Sequence, residues 1–307
     1  IIPETKIIAA GPFGMYDGSY IASTQDVIVV TINYRLGALG FVVTDGLKGN
    51  YGIQDQRLAM QWIAQNIHVF GGDPAQVTIW GESAGAMSVG IHLVSPYSKG
   101  LFSKAIMESN PTGMLYKTQS GMQYYGQQFC SLLNCNTTAT TCDSQCLRQA
   151  NLTDIKNAWS KSGSDVLTYI LANWGHESDG FLDYSPTVDG DELPDQIVPL
   201  LERGQFASNV PVLLGSNTNE GETFIYAAVN DALPMFLFPL ATDFIYSSNG
   251  TAVANYFTSH FSFNDSRTAL SQVLTNFWFQ CASQKFATAA VAAGTKAYVY
   301  RYNHVIS

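Results

Sequence analysis

The apolar and polar positions of this sequence alternate between two patterns, one typical of buried strands and the other of amphipathic helices. Asp26–Ile32 and Val77–Trp80 are short, rich in β-branched residues and mostly apolar, which predicts strands covered on both faces. Between them, residues 52–67 carry apolar side chains at helical spacing, and Gly71–Pro74 ends that helix. Ala84–Leu93, made mainly of small and apolar residues, predicts a second helix.

The same alternation continues towards the end of the sequence. Lys104–Met107, Pro211–Gly215 and Ala297–Tyr302 predict three further strands, and residues 219–294 are mostly helical in pattern. Strands that alternate with helices indicate an α/β fold with a mostly parallel central sheet flanked by helices. Residues 112–175 are more polar and are predicted to leave the sheet as an excursion. Because no linker or internal repeat interrupts the pattern, residues 1–307 are predicted to form a single α/β domain.

The composition excludes several classes of partner. Hydrophobic residues make up 46% of the chain and charged residues 13%, so the chain can bury a core. A formal net charge of -9 repels nucleic acid and anionic lipid, and we expect no nucleic-acid partner. No run of 18 apolar residues is present, so no membrane span is expected. An oligomer is compatible with the sequence, which does not determine the oligomeric state.

Cysteines and glycosylation sequons point to a cellular compartment. Four cysteines lie close together with no histidine among them, so we predict disulfides and no metal site: Cys130, Cys135, Cys142 and Cys146. Their spacing leaves three pairings open, and reduced structural cysteines are the alternative. Four asparagines begin N-x-[ST] sequons and are candidate glycosylation sites: Asn136, Asn151, Asn249 and Asn264. Together these features favour a secreted protein or one held in a secretory vesicle, and leave Cys281 without a partner.

The candidate chemistry begins at Gly81–Gly85, which matches the G-x-S-x-G pattern. In that pattern a sharp turn between a strand and a helix exposes the serine, and the glycines let the backbones pass closely. A predicted strand leads into Ser83 and a predicted helix leads out, as the pattern requires. Ser83 is therefore a candidate nucleophile, and the alternative is an ordinary serine that caps the helix.

A serine nucleophile needs a base, usually a histidine that a carboxylate orients. In hydrolases with this turn the chain order is serine, acid, histidine, and the acid follows a later strand. Glu220 stands in that place, shortly after the predicted strand Pro211–Gly215. The alternative is that Glu220 only stabilises the start of the next helix, where a carboxylate is favoured in any case.

These stretches resemble the type-B carboxylesterase/lipase family, which includes the cholinesterases. The matching segments run in order along most of the chain: Tyr16–Ser19, Asn33–Gly37, Asn50–Gly52, Asp55–Gln56, Asn66–Ile67, Phe70–Pro74, Gly81–Gly85, Phe102–Ile106, Pro186–Gly190, Asn219–Gly221 and Tyr298–Tyr302. The resemblance implies an α/β-hydrolase fold that acts on small-molecule or lipid esters without a cofactor.

The resemblance also implies roles for individual residues. Ser83 would be the nucleophile, Glu220 the acid of the triad, and the Ala84 N–H a donor to the oxyanion. Glu82 would line the active-site gorge, and Ser109 would form a hydrogen bond near the site. Cys135 with Cys146 resembles a small-loop disulfide of the family, which would leave Cys130 to pair with Cys142.

The sequence departs from the family pattern at two places. The family's oxyanion hole also uses a Gly-Gly run ahead of Tyr16, but Ile7–Met15 has none and Pro12 lacks an N–H. The family's histidine lies past Tyr302 in a His-Gly context, and His304 matches a non-catalytic position. We therefore expect the histidine to lie outside this sequence, and the domain to be incomplete, with N-terminal strands and a C-terminal part missing.

The sequence thus predicts a carboxylic ester hydrolase with a Ser-His-Glu triad and an acyl-enzyme intermediate. The alternative is a non-catalytic cholinesterase-like domain with an adhesion or structural role. A thioesterase or peptidase on the same fold agrees with the Ser83 turn but not with the wider set of matching segments.

Overall fold

The structure is a computed structural model that describes residues 17–138, 141–162, 183–207, 209–246 and 249–304. The described strands are β1 Val43–Thr44, β2 Leu47–Lys48, β3 Thr78–Glu82, β4 Lys104–Glu108, β5 Lys117–Thr118, β6 Thr187–Val188, β7 Val212–Asn217 and β8 Ala297–Tyr302. The described helices are α1 Ser19–Gln25, α2 Gly37–Phe41, α3 Tyr51–Asn66, α4 Ala84–Val94, α5 Gln119–Leu132, α6 Ser144–Gln149, α7 Leu152–Ser162, α8 Ile197–Glu202, α9 Glu220–Ala228, α10 Phe238–Tyr246, α11 Gly250–His260, α12 Ser266–Leu274 and α13 Cys281–Ala292.

The central sheet of the described chain contains four parallel strands in the order β3-β4-β7-β8. Gly81 is in register with Met107, Met107 with Leu214, and Leu214 with Val299. Because all four strands run in one direction, their carboxyl ends lie along one edge of the sheet. The predicted α/β fold with a mostly parallel sheet is confirmed, and four of its five predicted strands are found in the sheet.

Helix α4 lies at the centre of the main core. Its residues from Gly85 to Val94 are all buried, and it packs on β3, β4 and α8. A helix that is apolar nearly all round requires such complete cover. On the far half of the sheet, α13 packs on β7 and β8 and buries Phe286 completely. The serine at the start of α4 is thereby fixed to a rigid helix.

The predicted strand at Asp26–Ile32 is wrong. These residues form no strand, and the side chains of Val27 to Val30 are between 37% and 47% exposed. Ile28 lies against Gly72 and Val29 against Gly18, so these two side chains pack on glycines of neighbouring turns. β-Branched residues form a strand only where a neighbouring strand completes the hydrogen bonds. Among the described residues no such ladder forms beside this run.

The cysteine-rich region connects helices α5 and α6. It contains the disulfides Cys130–Cys142 and Cys135–Cys146, the same two pairs that the family resemblance implied. Cys281 is a free, exposed cysteine at the start of α13. The described part of 112–175 adds no strand to the central sheet, and residues 139–140 and 163–175 lie outside the described residues.

A second, smaller core holds the helices that follow the acid residue. Helices α10, α11 and α12 bury a group of apolar side chains against each other: Phe238, Ala254, Phe257, Ala269, Leu270 and Val273. Helix α9 packs along α12, which connects this group to the turn after β7. None of the helices in the described ranges is both long and apolar enough to cross a bilayer.

A buried histidine inside α4 makes the stability of the fold depend on pH. His92 is completely buried, with Nε2 2.9 Å from Gln56 Oε1 and Nδ1 2.8 Å from Ser98 Oγ. Because the Gln56 oxygen only accepts, Nε2 carries the proton and Nδ1 accepts from Ser98. Burial, with a smaller contribution from Arg57, lowers the pKa of His92 to about 3.

We expect the free energy of unfolding to fall by about 2 kcal/mol through His92 between pH 7 and pH 5. A group whose pKa is depressed on folding stabilises the fold above its unfolded pKa of about 6.5, and this stabilisation is lost as the pH falls towards 3. Denaturant unfolding at several pH values checks this, with His92→Gln as the comparison. Equal pH slopes for the two proteins would contradict the prediction.

Candidate active site

The turn between β3 and α4 holds Ser83 in a strained conformation. Ser83 has φ 52° and ψ -119°, a region that a non-glycine residue rarely adopts. Its N–H donates to Glu108 O at 2.9 Å and its carbonyl accepts from Met87 N–H at 2.9 Å. The sheet on one side and the helix on the other therefore hold the strained backbone in place. This is the strand–turn–helix geometry that a nucleophilic serine requires.

The serine side chain and the adjacent helix terminus are both accessible. Ser83 is half-buried, and among the described residues none forms a hydrogen bond with its hydroxyl. Ala84 is the first residue of α4, so no preceding turn of the helix can accept from its N–H. A helix N-terminus also carries partial positive charge, which stabilises a developing oxyanion. The Ala84 N–H remains a predicted oxyanion donor.

Glu220 lies two strands away, where the turn after β7 leads into α9. Its Oε1 accepts three hydrogen bonds, from Ser109 Oγ at 2.5 Å, from Asn217 N–H at 2.7 Å and from the Asn217 amide at 3.2 Å. No described residue donates to Oε2. One oxygen is thus fixed in position while the other remains available to orient a further group.

Asn217 has a role that sequence reasoning missed. Both of its N–H groups reach Glu220, and its side-chain amide also lies 3.4 Å from Ser109 Oγ. The role depends on a turn that folds residue 217 back onto residue 220. An asparagine three residues before a carboxylate is the only sequence signal, and many ordinary turns share it. Ser109, which the resemblance had placed near the site, is buried with φ 50° at the end of β4.

Two further carboxylates lie at the same edge of the sheet. Glu82, Glu108, Gly215 and Tyr300 are successive partners in register across β3, β4, β7 and β8, so their side chains point to one face. A Cβ on Gly215 would lie 2.5 Å from the Tyr300 ring, so the missing side chain makes room for that ring.

The electrostatics of this row follow from its geometry. Glu82 is partly exposed to solvent, and partial desolvation, followed by the Glu220 and Glu108 carboxylates, raises its pKa. Burial raises the pKa of Tyr300 to about 12, and the three carboxylates add to that shift. The ends of the strands therefore form an electronegative surface beside Ser83. No cluster of metal-ligating side chains occurs within the described ranges.

The described histidines do not complete a triad. His92 is buried in its own hydrogen-bond network, and His260 is exposed on α11 with Nδ1 2.8 Å from Tyr256 O. His304 is exposed beyond β8, with its ring against Tyr302, and His68 is exposed after α3. No hydrogen bond joins any of these four to Ser83 or Glu220. His176 lies outside the described residues.

Comparison with known proteins shows where this geometry occurs. The sequence model of the carboxylesterase family matches residues 6–307. The chain belongs to the carboxylesterase family. The solved structure titled PNB esterase superposes over 100% of this chain and 62% of its own, with a TM-score of 0.77 and 28% sequence identity. The chain thus has the α/β-hydrolase fold of an esterase.

Curated relatives of this chain carry different names. The cAMP-regulated D2 protein of Dictyostelium discoideum is 34% identical over 98% of this chain and 54% of its own length. Acetylcholinesterase of Electrophorus electricus is 40% identical over 70% of this chain and 33% of its own. Neuroligin-3 of Mus musculus is 32% identical over 86% of this chain and 29% of its own. The chain spans about half the length or less of these relatives.

Proposed function

We propose that the protein is a serine carboxylic ester hydrolase in which Ser83 attacks the ester carbonyl. Glu220 orients the imidazole that takes the serine proton, and the Ala84 N–H stabilises the oxyanion. The alcohol leaves, an acyl group remains on Ser83 Oγ, and water then releases the acid. The substrate class is a small-molecule or lipid ester, and no cofactor takes part.

The strained turn at Ser83 is the observation that carries this proposal. A serine held at positive φ between a strand of the central sheet and a buried helix costs about 1–3 kcal/mol, and such strain concentrates at functional sites. The arrangement of Glu220 adds support. Three donors fix its Oε1, while Oε2 is open to a partner, as a carboxylate that orients an imidazole requires.

The proposal places the histidine outside the 307-residue sequence. Support comes from the described histidines, none of which is bonded to Ser83 or Glu220. The strand order also supports it, because β8 lies next to β7 and the turn after β7 carries Glu220. The end of β8 therefore lies beside the turn that carries Glu220, where Thr218 N–H donates to Tyr302 O at 3.0 Å.

The proposed compartment is extracellular or vesicular. Two disulfides within a short segment persist in an oxidising compartment. An asparagine must be exposed to carry a glycan. The four asparagines that begin the sequons are all exposed: Asn136, Asn151, Asn249 and Asn264. We therefore propose a secreted glycoprotein.

A second candidate is a non-catalytic cholinesterase-like domain with an adhesion or structural role. The observation that favours it is the absence of a hydrogen bond to the Ser83 hydroxyl from any described histidine. Such a domain would keep the fold and the Ser83 turn without an activated nucleophile.

Labelling with a fluorophosphonate probe separates the two candidates. Such probes phosphonylate only a serine whose hydroxyl is activated. In the native full-length protein we expect one adduct, mapped to the peptide that contains Ser83, together with turnover of a simple aryl ester. Folded protein that shows neither the adduct nor turnover would favour the non-catalytic domain.

A further inference from the structure

A π-helical turn lies behind the candidate acid. Helices α12 and α13 form one continuous helical stretch, and Thr275–Gln280 between them is π-helical. Cys281 N–H donates to Asn276 O, five residues back instead of the four of an α-helix. Such turns are rare and occur frequently at functional sites. Its neighbours in the structure are the turn that carries Glu220 and the loop that follows Ser109.

Thr275 contacts the backbone directly beside the acid. Its Oγ1 accepts from Gly221 N–H at 2.8 Å and donates to Ser271 O at 2.7 Å. The Gly221 N–H belongs to the peptide group that joins it to Glu220, so this hydroxyl fixes the acid's own backbone. Thr275 is only 2% exposed, so water cannot replace the bond if the hydroxyl is removed.

The turn that carries Glu220 also packs closely against helix α12. A Cβ on Gly221 would lie 2.1 Å from Ser271 O and 2.9 Å from Ser271 Cα. Only glycine permits this approach, which brings the Gly221 N–H within reach of Thr275. The hydrogen bond from the Gly221 N–H to Thr275 therefore depends on the close backbone approach at Gly221.

The C-terminal end of the π-helical turn contacts the loop between β7 and Glu220. Gln280 Nε2 lies 3.4 Å from Asn217 O and from Thr218 O, and Asn217 is the residue that fixes Glu220 Oε1. In an α-helix, residues five apart point about 140° away from each other. In a π-helix they are joined by a hydrogen bond and share a face. The wider turn thus directs both Thr275 and Gln280 at the acid loop.

The same segment holds the loop after Ser109. Gly113 N–H donates to Trp278 O at 3.0 Å, and a Cβ on Gly113 would lie 2.2 Å from Phe277 O. Met114 packs with Trp278 in a small buried cluster. The π-helical turn therefore contacts both loops whose side chains meet in the Ser109–Glu220 hydrogen bond.

We propose that Thr275 is a positioning residue for Glu220, assisted by Gln280 at the other end of the π-helical turn. The inference rests on the proposed function, in which Glu220 orients the catalytic imidazole. Thr275 acts through the backbone of the turn that carries Glu220, and it touches neither the substrate nor the reacting atoms. Loss of the hydroxyl leaves the Gly221 N–H without a partner and allows Glu220 to shift.

The test compares Thr275→Val with Thr275→Ser in the full-length protein. Valine keeps the shape without the hydroxyl, and we expect kcat for an aryl ester to fall by about tenfold to a hundredfold with KM unchanged. Serine restores the hydroxyl, and its kcat is expected to return close to the native value. Thr288→Val is the matched control, because Thr288 Oγ1 also donates to a carbonyl four residues back, that of Gln284, but is exposed and far along α13.

Crystal structures of the native protein and Thr275→Val provide a readout that does not need activity. We expect the hydrogen bonds from Asn217 N–H and Ser109 Oγ to Glu220 to lengthen or break in the variant. If the native protein proves inactive, the proposed function fails, but these structures still decide the positioning role. If Thr275→Val does not fold, Gln280→Leu is measured in its place, with a smaller fall in kcat expected. Native kcat and an unmoved Glu220 in the tested variant would overturn the inference.

Discussion

Replacing Ser83 by alanine is expected to lower kcat/KM for ester hydrolysis by about a millionfold and to abolish fluorophosphonate labelling. The reason is that no other group in the proposed mechanism can form the acyl-enzyme. The fold should remain intact, since the side chain makes no hydrogen bond with any described residue. Initial rates on an aryl ester, together with circular dichroism of both proteins, check the two parts. Substantial turnover by the folded alanine variant would show that Ser83 is not the nucleophile.

A second substitution at Ser83 tests the strain in the turn. Ser83→Gly removes the Cβ that makes φ 52° unfavourable, so this variant should be more stable than Ser83→Ala by about 1 kcal/mol. Both variants lack the hydroxyl, so both should be inactive. Thermal unfolding of the pair separates the backbone effect from the loss of the side chain. A glycine variant no more stable than the alanine variant would mean that the turn is not strained.

Periodicity predicted those strands that find a neighbouring strand within the described chain. The expected cover on both faces is wrong for β3, where Trp80 is 43% exposed. Residues 77–80 and 297–302 read as strands, and β3 and β8 are found there, because each pairs along the sheet. Asp26–Ile32 has an equally strand-like composition but forms no ladder. Composition records what a segment favours, whereas a strand also needs a neighbour at the right distance, which no local pattern reports.

The candidate site likewise contains one part that the sequence predicts and one part that it does not. The Ser83 turn was predictable because its motif and its flanking elements are contiguous in the sequence. The support around Glu220 was less so, because Ser109 is 111 residues away and Thr275 reaches Gly221 across 54 residues. These contacts exist only once β4 and β7 are paired and the π-helical turn is formed. Hydrogen bonds across such separations leave no periodic signal in a single sequence.

Glu220→Gln is expected to lower kcat by about ten-thousandfold. The substitution keeps the shape, and the glutamine oxygen can still accept from Ser109 and Asn217 in place of Oε1. It then puts an NH₂ donor where the open Oε2 stands. An imidazole that meets a donor in place of an acceptor is held in the wrong tautomer, so it cannot take the serine proton. Steady-state kinetics of the full-length variant measure this effect.

The control for Glu220→Gln must remove one negative charge from the same edge of the sheet without touching an imidazole. Glu108→Gln does so, because Glu108 lies in register beside Glu82 and its carboxylate accepts no hydrogen bond from Ser109 or Asn217. A much smaller loss of activity is expected for it. Equal losses in the two variants would assign the effect to the summed negative charge beside Ser83 and would remove Glu220 from the triad. A large loss confined to Glu220→Gln requires a directional contact through Oε2, which a non-catalytic domain would have no reason to keep.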